Sequence, residues 1–529
     1  MKSISCPTME KSTQVIKRRA ILSGLALLGF LSSGAQEKAP NIIMILADDL
    51  GYSDLSCYGS EIRTPSIDKL AEEGLRFSRY YVSPMCVTSR VALLSGMEFK
   101  AAGGESFPNG VSFAHLLRDA GYATSMVGKN HGMNNFLTGS PDTDYGFDHF
   151  FGFSGGELNS FTGEGNVEWQ TDGRIFPYTD LPEDFYTTKN FTDSAIVFMK
   201  NALDSGKPFF SYVAHNAPHT PLHAPERNVR KYYDPGNGIK TFEDGWEKLR
   251  TERLERMKKM GLLSSGVELS IPGVEIPDWD LLPDTSLNYW ELQKEFEMLA
   301  RGAFAGMVDN IDENVGKIIA FLDDPNEDGN RDDSQLNNTI IIFSSDNGGC
   351  YAGLYTERDD MPWDKTTPAF TNNYGWGTLS NTPYRYYKHG SHEGSIRSPL
   401  IIHWPDGISL PEGTILHQMV RIWDLYPTFL ELAGASYPEN PKQKNLKPLM
   451  GESLVPLFSD RDYKTEEFFV SEFSRSQGII KGNWKIANYY DGPFELFNLE
   501  EDPTERRDLA SEEPEIYKEF LQLWDEYTR

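Results

Sequence analysis

Continuous apolar segments alternate with amphipathic ones along most of the chain. Four of them predict strands buried on both faces, as in a parallel sheet: Asn41–Ala47, 121–128, 207–214 and Thr339–Ser345. Helices are expected between them, notably at 66–74, where Gly74 ends the helix, and over 295–321. This order predicts an α/β fold with a mostly parallel sheet sandwiched by helices, and a site beyond the carboxyl ends of the strands.

The pattern changes near residue 445. Short strand-like pieces separated by turn residues follow at 468–471, 478–480 and 484–486, and a final helix is expected from about Glu513. They predict a small antiparallel sheet with a helix packed on it. We therefore expect a main domain over residues 36–444 and a smaller C-terminal α+β subdomain over 445–529.

The first 35 residues have the pattern of an export signal. Basic residues at 17–19 precede an apolar run that is shorter than the about 20 residues of a bilayer span, and small residues up to Ala35 suit signal cleavage. No cysteine stands at the cleavage point. We expect residues 1–35 to be a signal peptide and the mature chain to be exported, periplasmic or secreted, with no stable membrane anchor.

Acidic residues directly follow two of the predicted strands. Asp48 and Asp49 follow the first strand, and Asp346 with Asn347 follows the strand at 339–345. Because the carboxyl ends of parallel strands meet at one edge of a sheet, these groups are expected to converge. Their oxygen atoms suit Ca²⁺ or Mg²⁺. Acidic loop ends in solvent are the alternative, which the shared register disfavours.

A thiol and a guanidinium stand at the start of another predicted helix. Arg90 follows Cys86 by one turn, and a helix N-terminus together with this arginine would hold an oxyanion. A buried structural cysteine explains the same spacing, and the residues alone do not decide. Cys6 leaves with the predicted signal, so three cysteines remain; an odd number leaves at least one thiol without an internal partner.

The chain is acidic, with 78 Asp and Glu against 50 Lys and Arg and a formal charge of −28. Nucleic-acid binding through bulk charge requires a basic surface and is excluded. An anionic substrate would be repelled at long range, so its pocket must be locally basic.

Six segments resemble, in order, the signature elements of the type I sulfatases of the alkaline phosphatase superfamily. They are 40–52, with Asp48 and Asp49; 86–96, with Cys86 and Arg90; 127–132, with Lys129 and His131; 216–222, with His219; 345–349, with Asp346 and Asn347; and 388–399, with Lys388. Matches extend from Pro40 to about Asp508. Each motif alone is weak, but six in family order are specific.

The resemblance implies an alkaline phosphatase-like fold, with residues 36–444 as the sulfatase catalytic domain. It implies that a formylglycine-generating maturation enzyme oxidises Cys86 to formylglycine. It also implies a site for Ca²⁺, with Mg²⁺ as the alternative, whose ligands are Asp48, Asp49, Cys86, Asp346 and Asn347.

Roles for the remaining site residues also follow from the resemblance. The hydrated aldehyde would attack the sulfur of a sulfate ester, with Arg90 and Lys129 holding its oxyanion. His219 or Lys388 would give a proton to the departing alcohol. His131 would then deprotonate the second hydroxyl, so that sulfate leaves and the aldehyde returns.

The substrate class rests on aromatic residues that precede Lys388. Such side chains stack on sugar rings, and a sulfated saccharide or other sulfated small molecule is the expected partner; packing of a long loop explains them equally well. They are Trp363, Tyr374, Trp376, Tyr384 and Tyr386.

Two rival functions stay open. A phosphodiesterase or phosphonate monoester hydrolase of the same superfamily would use the same elements. A non-catalytic carbohydrate-binding relative would result if Cys86 is not matured, because Thr88 stands where the family usually has Pro or Ala.

Two further patterns suggest metal sites and are not favoured. His215, His219 and His223 have helical zinc spacing, but the prolines among them prevent a regular helix. The stretch from Asp324 to Asp332 resembles a calcium loop whose twelfth position is Gln335, which cannot chelate as Glu does. A solvated connection is the preferred interpretation of that stretch.

Overall fold

The computed structural model describes residues 39–131, 145–285, 293–351, 361–367, 370–438 and 446–528. The predicted signal peptide, residues 1–35, lies outside this part of the chain, as does Gly132 of the third signature segment.

The strands, in chain order, are β1 Asn41–Ala47, β2 Leu75–Tyr81, β3 Ala123–Asn130, β4 His149–Ser154, β5 Glu168–Thr171, β6 Arg174–Phe176, β7 Phe209–Ala214, β8 Tyr233–Asp234, β9 Ile239–Lys240, β10 Thr339–Ser345, β11 Arg397–His403, β12 Thr414–Arg421, β13 Phe468–Phe473, β14 Ser476–Lys481, β15 Trp484–Ala487 and β16 Glu495–Asn498. The α-helices are α1 Pro65–Glu73, α2 Cys86–Ser95, α3 Phe99–Ala102, α4 Phe113–Asp119, α5 Thr187–Asp204, α6 Glu226–Val229, α7 Gly245–Met260, α8 Lys294–Asp323, α9 Tyr374–Ser380, α10 Glu393–Ile396, α11 Leu425–Leu432 and α12 Pro514–Thr528.

A ten-stranded sheet forms the centre, in the order β12-β2-β11-β10-β1-β7-β3-β4-β5-β6. Its middle, from β10 to β4, is parallel, and antiparallel pairs such as β10–β11 and β4–β5 lie further out. Every residue of β1 is buried, because Ile43 and Ile45 join one apolar layer while Met44 and Leu46 join the other. Helices α1, α5 and α8 supply the first layer, and α2, α4 and α11 supply the second. The predicted α/β fold is confirmed.

The predicted elements lie close to the observed ones. The first and fourth predicted strands match β1 and β10, whereas the strand expected at 121–128 is shifted to Ala123–Asn130. The helix expected over 295–321 is α8, Lys294–Asp323. The shift in β3 carries the strand through Lys129, so the first basic residue of its motif lies on the sheet itself.

The C-terminal part is the small antiparallel sheet that the sequence predicts. Strands β13 to β16 pair in sequence order, and α12 packs its Phe520 and Trp524 on the apolar face of this sheet. The placement of a domain boundary between residues 444 and 445 stays a prediction. Among the described residues, no helix is both long and apolar enough to cross a membrane.

One buried carboxyl group makes stability depend on pH. Glu297, in the first turn of α8, accepts a hydrogen bond from Nδ2 of Asn373 at 2.5 Å, and Asn373 in turn caps α9. Burial raises the pKa of Glu297 to about 8. In the unfolded chain the Glu297 carboxyl ionises near pH 4.5. Below that pH the contribution of this carboxyl to the free energy of unfolding is fully present. The contribution is lost as the pH rises from 4.5 towards 8.

We therefore expect Glu297→Gln to stabilise the protein increasingly between pH 5.5 and pH 8. The gain relative to wild type should approach about 1.4 kcal/mol per pH unit, because glutamine keeps the acceptor and does not titrate. Denaturant unfolding at both pH values measures the difference. Glu295→Gln, an exposed change in the same turn, serves as control, and an equal effect of Glu297→Gln at both pH values would contradict the account.

Candidate active site

The acidic residues that follow β1 and β10 meet at the carboxyl edge of the sheet. The two strands pair in parallel with Ala47 opposite Ser345, so the residues after them are neighbours. The Asp49 amide donates to Oδ1 of Asp346 at 3.2 Å, and Nδ2 of Asn347 donates to Oδ1 of Asp49 at 2.6 Å. Asp49 has a φ of +66°, a strained conformation for a residue with a side chain. The structure therefore brings together the carboxylates that the sequence places at strand ends.

Each buried carboxylate has a buried cationic partner. Nζ of Lys129 lies 2.5 Å from Oδ2 of Asp48, and Nζ of Lys388 lies 2.7 Å from Oδ1 of Asp49. Arg90 donates from Nε and Nη2 to Oδ2 of the third carboxylate, Asp346, at 3.1 and 2.8 Å. Three negative and three positive side chains thus balance one another out of contact with solvent.

These pairings set the protonation of the acidic groups. Burial opposes ionisation of Asp48 and Asp49, but the surrounding positive groups, led by Lys129 for Asp48 and by Lys388 for Asp49, together outweigh burial and lower the pKa of each carboxyl. Burial and the nearby charge of Asp48 raise the pKa of Asp346 to about 7. Asp346 is therefore the carboxyl group of the three that ionises least readily.

Three oxygen atoms at this edge lack hydrogen-bond partners although they are buried: Oδ1 of Asp48, Oδ2 of Asp49 and Oδ1 of Asn347. Burying such atoms without a partner is costly. Ligand atoms of Asp48, Asp49 and His219 lie within 4.8 Å of one another, and so do those of Asp48, Cys86 and Asp346. The arrangement fits a hard divalent cation, which would satisfy these oxygens.

Cys86 is the first residue of α2, and its side chain is 0% exposed. Its Sγ lies 3.0 Å from Nδ1 of His131. Burial raises the pKa of the Cys86 thiol, whereas burial and then the charge of Lys129 lower the pKa of His131 to about 3. A protonated thiol thus faces a neutral imidazole. Arg90, one turn along α2, also donates to the carbonyl of Lys129 at 2.9 Å.

His219 lies at the outer side of the carboxylates. Its Nδ1 lies 2.5 Å from the carbonyl of Thr220, and its Nε2 lies 3.5 Å from Oδ2 of Asp49. Burial lowers the pKa of His219. The neutral ring therefore carries its proton on Nδ1 and turns Nε2 towards the site.

Comparison with known proteins shows which family the chain belongs to. The family model for sulfatases matches residues 40–435, and the model for the C-terminal part of N-sulphoglucosamine sulphohydrolase matches residues 384–527. The chain belongs to the sulfatase family. It is a type I sulfatase of the alkaline phosphatase-like superfamily and a sulfuric ester hydrolase. Members of this family generally depend on a metal and a modified cysteine.

Individual relatives cover most of this sulfatase. An arylsulfatase from Klebsiella aerogenes is 30% identical over 83% of this chain and 96% of its own length. An N-acetylglucosamine-6-O-sulfatase from Bacteroides thetaiotaomicron is 27% identical over 96% of this chain and 89% of its own. The crystal structure of Ps i-CgsB in complex with k-i-k-neocarrahexaose has a TM-score of 0.64 and 25% identity, covering 93% of each chain.

Two residues that were not among the predicted site residues are close enough to the site to feel its charges. Cys350 is half-buried, and the pKa of its thiol is raised first by burial and then by the charge of Asp49. His389 is also half-buried, and burial followed by the charge of Lys388 lowers its pKa to about 4. The sequence signal was adjacency, since Cys350 directly follows the segment 345–349 and His389 directly follows Lys388 within the segment 388–399.

A close approach of two loops carries the Lys388 segment to the acidic edge. A Cβ on Gly348 would lie 2.0 Å from the carbonyl oxygen of Gly394, so only glycine allows this contact. The Lys388 amide donates to the carbonyl of Gly349 at 3.2 Å. The two segments are far apart in sequence and are joined here backbone to backbone.

The structure also answers questions that the sequence left open. Cys57, Cys86 and Cys350 are all free thiols, so Cys57 and Cys350 do not form a disulfide. His223 is used structurally, with Nε2 2.9 Å from the carbonyl of Thr367, and His215 is fully buried. The three histidines of the zinc pattern therefore do not form a common site.

Two other sequence patterns have structural explanations. Around Asp324, carboxylate oxygens accept backbone amides of Asp328 and Gly329, as expected of a solvated connection. Of the aromatic residues proposed to stack on sugars, Trp376 and Tyr384 are 0% exposed and belong to the core. For these two residues the packing alternative holds, since both belong to the apolar core on one face of the central sheet.

Removing one acidic ligand should weaken metal binding. We expect Asp49→Asn to lower the calcium affinity of this sulfatase by at least about tenfold, since it removes a charge beside an unpartnered oxygen. Calorimetric titration of the metal-free protein measures it. The control is Asp328→Asn, in the Asp324 to Asp332 stretch; unchanged affinity in Asp49→Asn, or a loss in Asp328→Asn, would contradict the assignment.

Proposed function

We propose that this sulfatase hydrolyses a sulfate ester on a carbohydrate, with formylglycine at position 86 as nucleophile and Ca²⁺ as its metal. The observation that carries the proposal is the position of Cys86, whose Sγ shares one 4.8 Å cluster with oxygens of Asp48 and Asp346 and contacts His131. The carbohydrate class is supported by the relatives, which include an N-acetylglucosamine-6-O-sulfatase and a structure with a bound neocarrahexaose.

The maturation step follows from burial. A formylglycine-generating maturation enzyme would oxidise the thiol of Cys86 to the aldehyde, and the folded chain leaves this side chain no exposure. Conversion must therefore precede folding, when the segment is extended. Thr88, whose hydroxyl donates to the carbonyl of Met85 at 2.7 Å after folding, would then be read as part of the motif.

The cationic side chains have defined places in the reaction. Arg90 and Lys129 contact Asp346 and Asp48, whose oxygens cluster with Sγ of Cys86, and there they would hold the hydrated aldehyde. His131 contacts position 86 directly and is neutral, so it would accept the proton of the second hydroxyl.

The opposite side of the site would serve the leaving group. Lys388 lies against Asp49 at 2.7 Å, and burial opposed by the charge of Asp49 leaves the pKa of its ammonium well above the usual value. It would offset negative charge and offer a proton. His219 lies 3.5 Å from the same carboxylate, on the side that is still partly exposed. Of the two residues expected to protonate the departing alcohol, Lys388 already holds a proton. His219 would first have to take one up on Nε2, because its ring is neutral and its proton lies on Nδ1.

A divalent cation at the carboxylates would supply charge neutralisation for the sulfate oxygens. The three unpartnered oxygens of Asp48, Asp49 and Asn347 support a hard ion. Ca²⁺ is our proposal and Mg²⁺ the alternative, because all of these ligand atoms are oxygens. We also propose that the mature protein is exported, periplasmic or secreted, on the basis of residues 1–35.

Replacement of the proposed nucleophile tests the function. Cys86→Ala should lower turnover of 4-nitrophenyl sulfate at least about a thousandfold, since the nucleophile is lost, while Cys57→Ala, at another buried thiol, keeps it. Mass spectrometry of the active wild type should find the aldehyde in the peptide carrying residue 86. Active protein with an intact thiol there would refute the mechanism.

The same assay separates the rival functions. Wild type is expected to cleave 4-nitrophenyl sulfate faster than bis(4-nitrophenyl) phosphate. Dominant cleavage of the phosphodiester would favour a phosphodiesterase or phosphonate monoester hydrolase. A chain that carries only thiol at position 86 and binds sulfated saccharides without cleaving them would be the non-catalytic relative.

A further inference from the structure

Six tyrosines from four separate segments form one contiguous group, here called the tyrosine cluster. Its members are Tyr351, Tyr374, Tyr386, Tyr387, Tyr489 and Tyr490. The ring centroids of Tyr351 lie 4.1 Å from Tyr374 and 4.4 Å from Tyr387, and Tyr386 stacks on Tyr489 at 4.1 Å. Tyr386 also meets Tyr387 at 6.3 Å, and Tyr489 meets Tyr490 at 4.7 Å.

The tyrosine cluster is attached to the reacting centre by the chain itself. Tyr387 immediately precedes Lys388, whose ammonium contacts Asp49 at 2.7 Å. Tyr351 immediately follows Cys350, whose thiol pKa responds to the charge of Asp49. The Lys388 amide donates to the carbonyl of Gly349 and ties the two segments together. Two members of the cluster, Tyr351 and Tyr387, are therefore joined by short stretches of backbone to the residues at the carboxylates.

The tyrosine cluster does not behave as a core. Tyr374 is 39% exposed, and Tyr351, Tyr489 and Tyr490 are half-buried. Tyr387 is 1% exposed, yet its hydroxyl has no hydrogen-bond partner. A buried hydroxyl without a partner is unfavourable in the free protein and would be satisfied by a polar ligand group.

Charges beside the tyrosine cluster are already paired. The Arg385 guanidinium lies 4.9 Å from the Tyr386 ring centroid and pairs with Glu495 at 3.0 Å. The Arg475 guanidinium lies 5.4 Å from the Tyr490 ring centroid and pairs with Asp491. Among the described residues, this surface thus offers ring faces and hydroxyl groups, and the two guanidinium groups beside it are already paired.

We propose that the tyrosine cluster is the subsite for the sugar ring that carries the scissile sulfate. This inference rests on the proposed carbohydrate sulfatase function. A sugar ring presents C–H faces that stack on aromatic rings and hydroxyl groups that bond to phenol oxygens.

The test uses Tyr374→Ala, Tyr489→Ala and Tyr387→Phe, which removes only the unpartnered hydroxyl. Wild type is first assayed on N-acetylglucosamine 6-sulfate and k-i-k-neocarrahexaose. With the saccharide that it cleaves faster, the two alanine variants should raise KM about tenfold, with kcat nearly unchanged. Tyr387→Phe should raise KM for that saccharide but leave KM for 4-nitrophenyl sulfate unchanged.

Tyr178→Ala, at an exposed tyrosine outside the cluster, is the matched control and should behave as wild type. An equal rise in KM for the saccharide and for the aryl sulfate would mean that the cluster only positions Lys388. An unchanged KM in all three variants would mean that the sugar binds elsewhere. Each of these two results would overturn the proposed subsite. If wild type cleaves 4-nitrophenyl sulfate but neither saccharide, the carbohydrate function fails as well.

Discussion

Charge balance among buried groups is the constraint on which the site depends. The three carboxylates that follow β1 and β10 are compensated by Lys129, Lys388 and Arg90, and none of these groups has water to solvate it. Breaking one such pair leaves an uncompensated buried charge, which is costly. These three carboxylates and three cationic side chains have no net charge together, so a bound divalent cation would give the site a net positive charge. A chain with a net charge of −28 can bind an anionic ester in this way.

Both the central sheet and the small C-terminal sheet support the ion pairs of the site. The parallel pairing of β1 and β10 fixes the carboxylates, and α2 begins where the nucleophile is needed. The loop that carries Lys388 is tied to the C-terminal sheet, where Lys485 contacts Glu393 at 2.8 Å and Glu505 at 2.7 Å in full burial. The small sheet is therefore part of the site architecture, and it also contributes Tyr489 to the tyrosine cluster.

The sequence predicted the elements whose bounds depend on neighbouring residues along the chain. β1 and β10 are buried along their whole length and contain the unbroken apolar runs 42–47 and 340–343. Their bounds, and the acidic residues after them, could therefore be predicted from the sequence. Tyr489 could not be placed beside Lys388, because nothing in either segment encodes contact across about a hundred residues. The role of Trp376 stayed open for a similar reason, since an aromatic side chain before the Lys388 segment has the same sequence pattern whether it faces solvent or the core.

The most direct measurement is calorimetric titration of inorganic sulfate into the protein, once loaded with calcium and once free of it. If the cation converts a neutral cluster into a sulfate site, the loaded protein should bind sulfate at least about tenfold more tightly, a coupling of ordinary size between two ligands. Equal sulfate affinity with and without calcium would contradict the account, because the protein cations alone would then suffice.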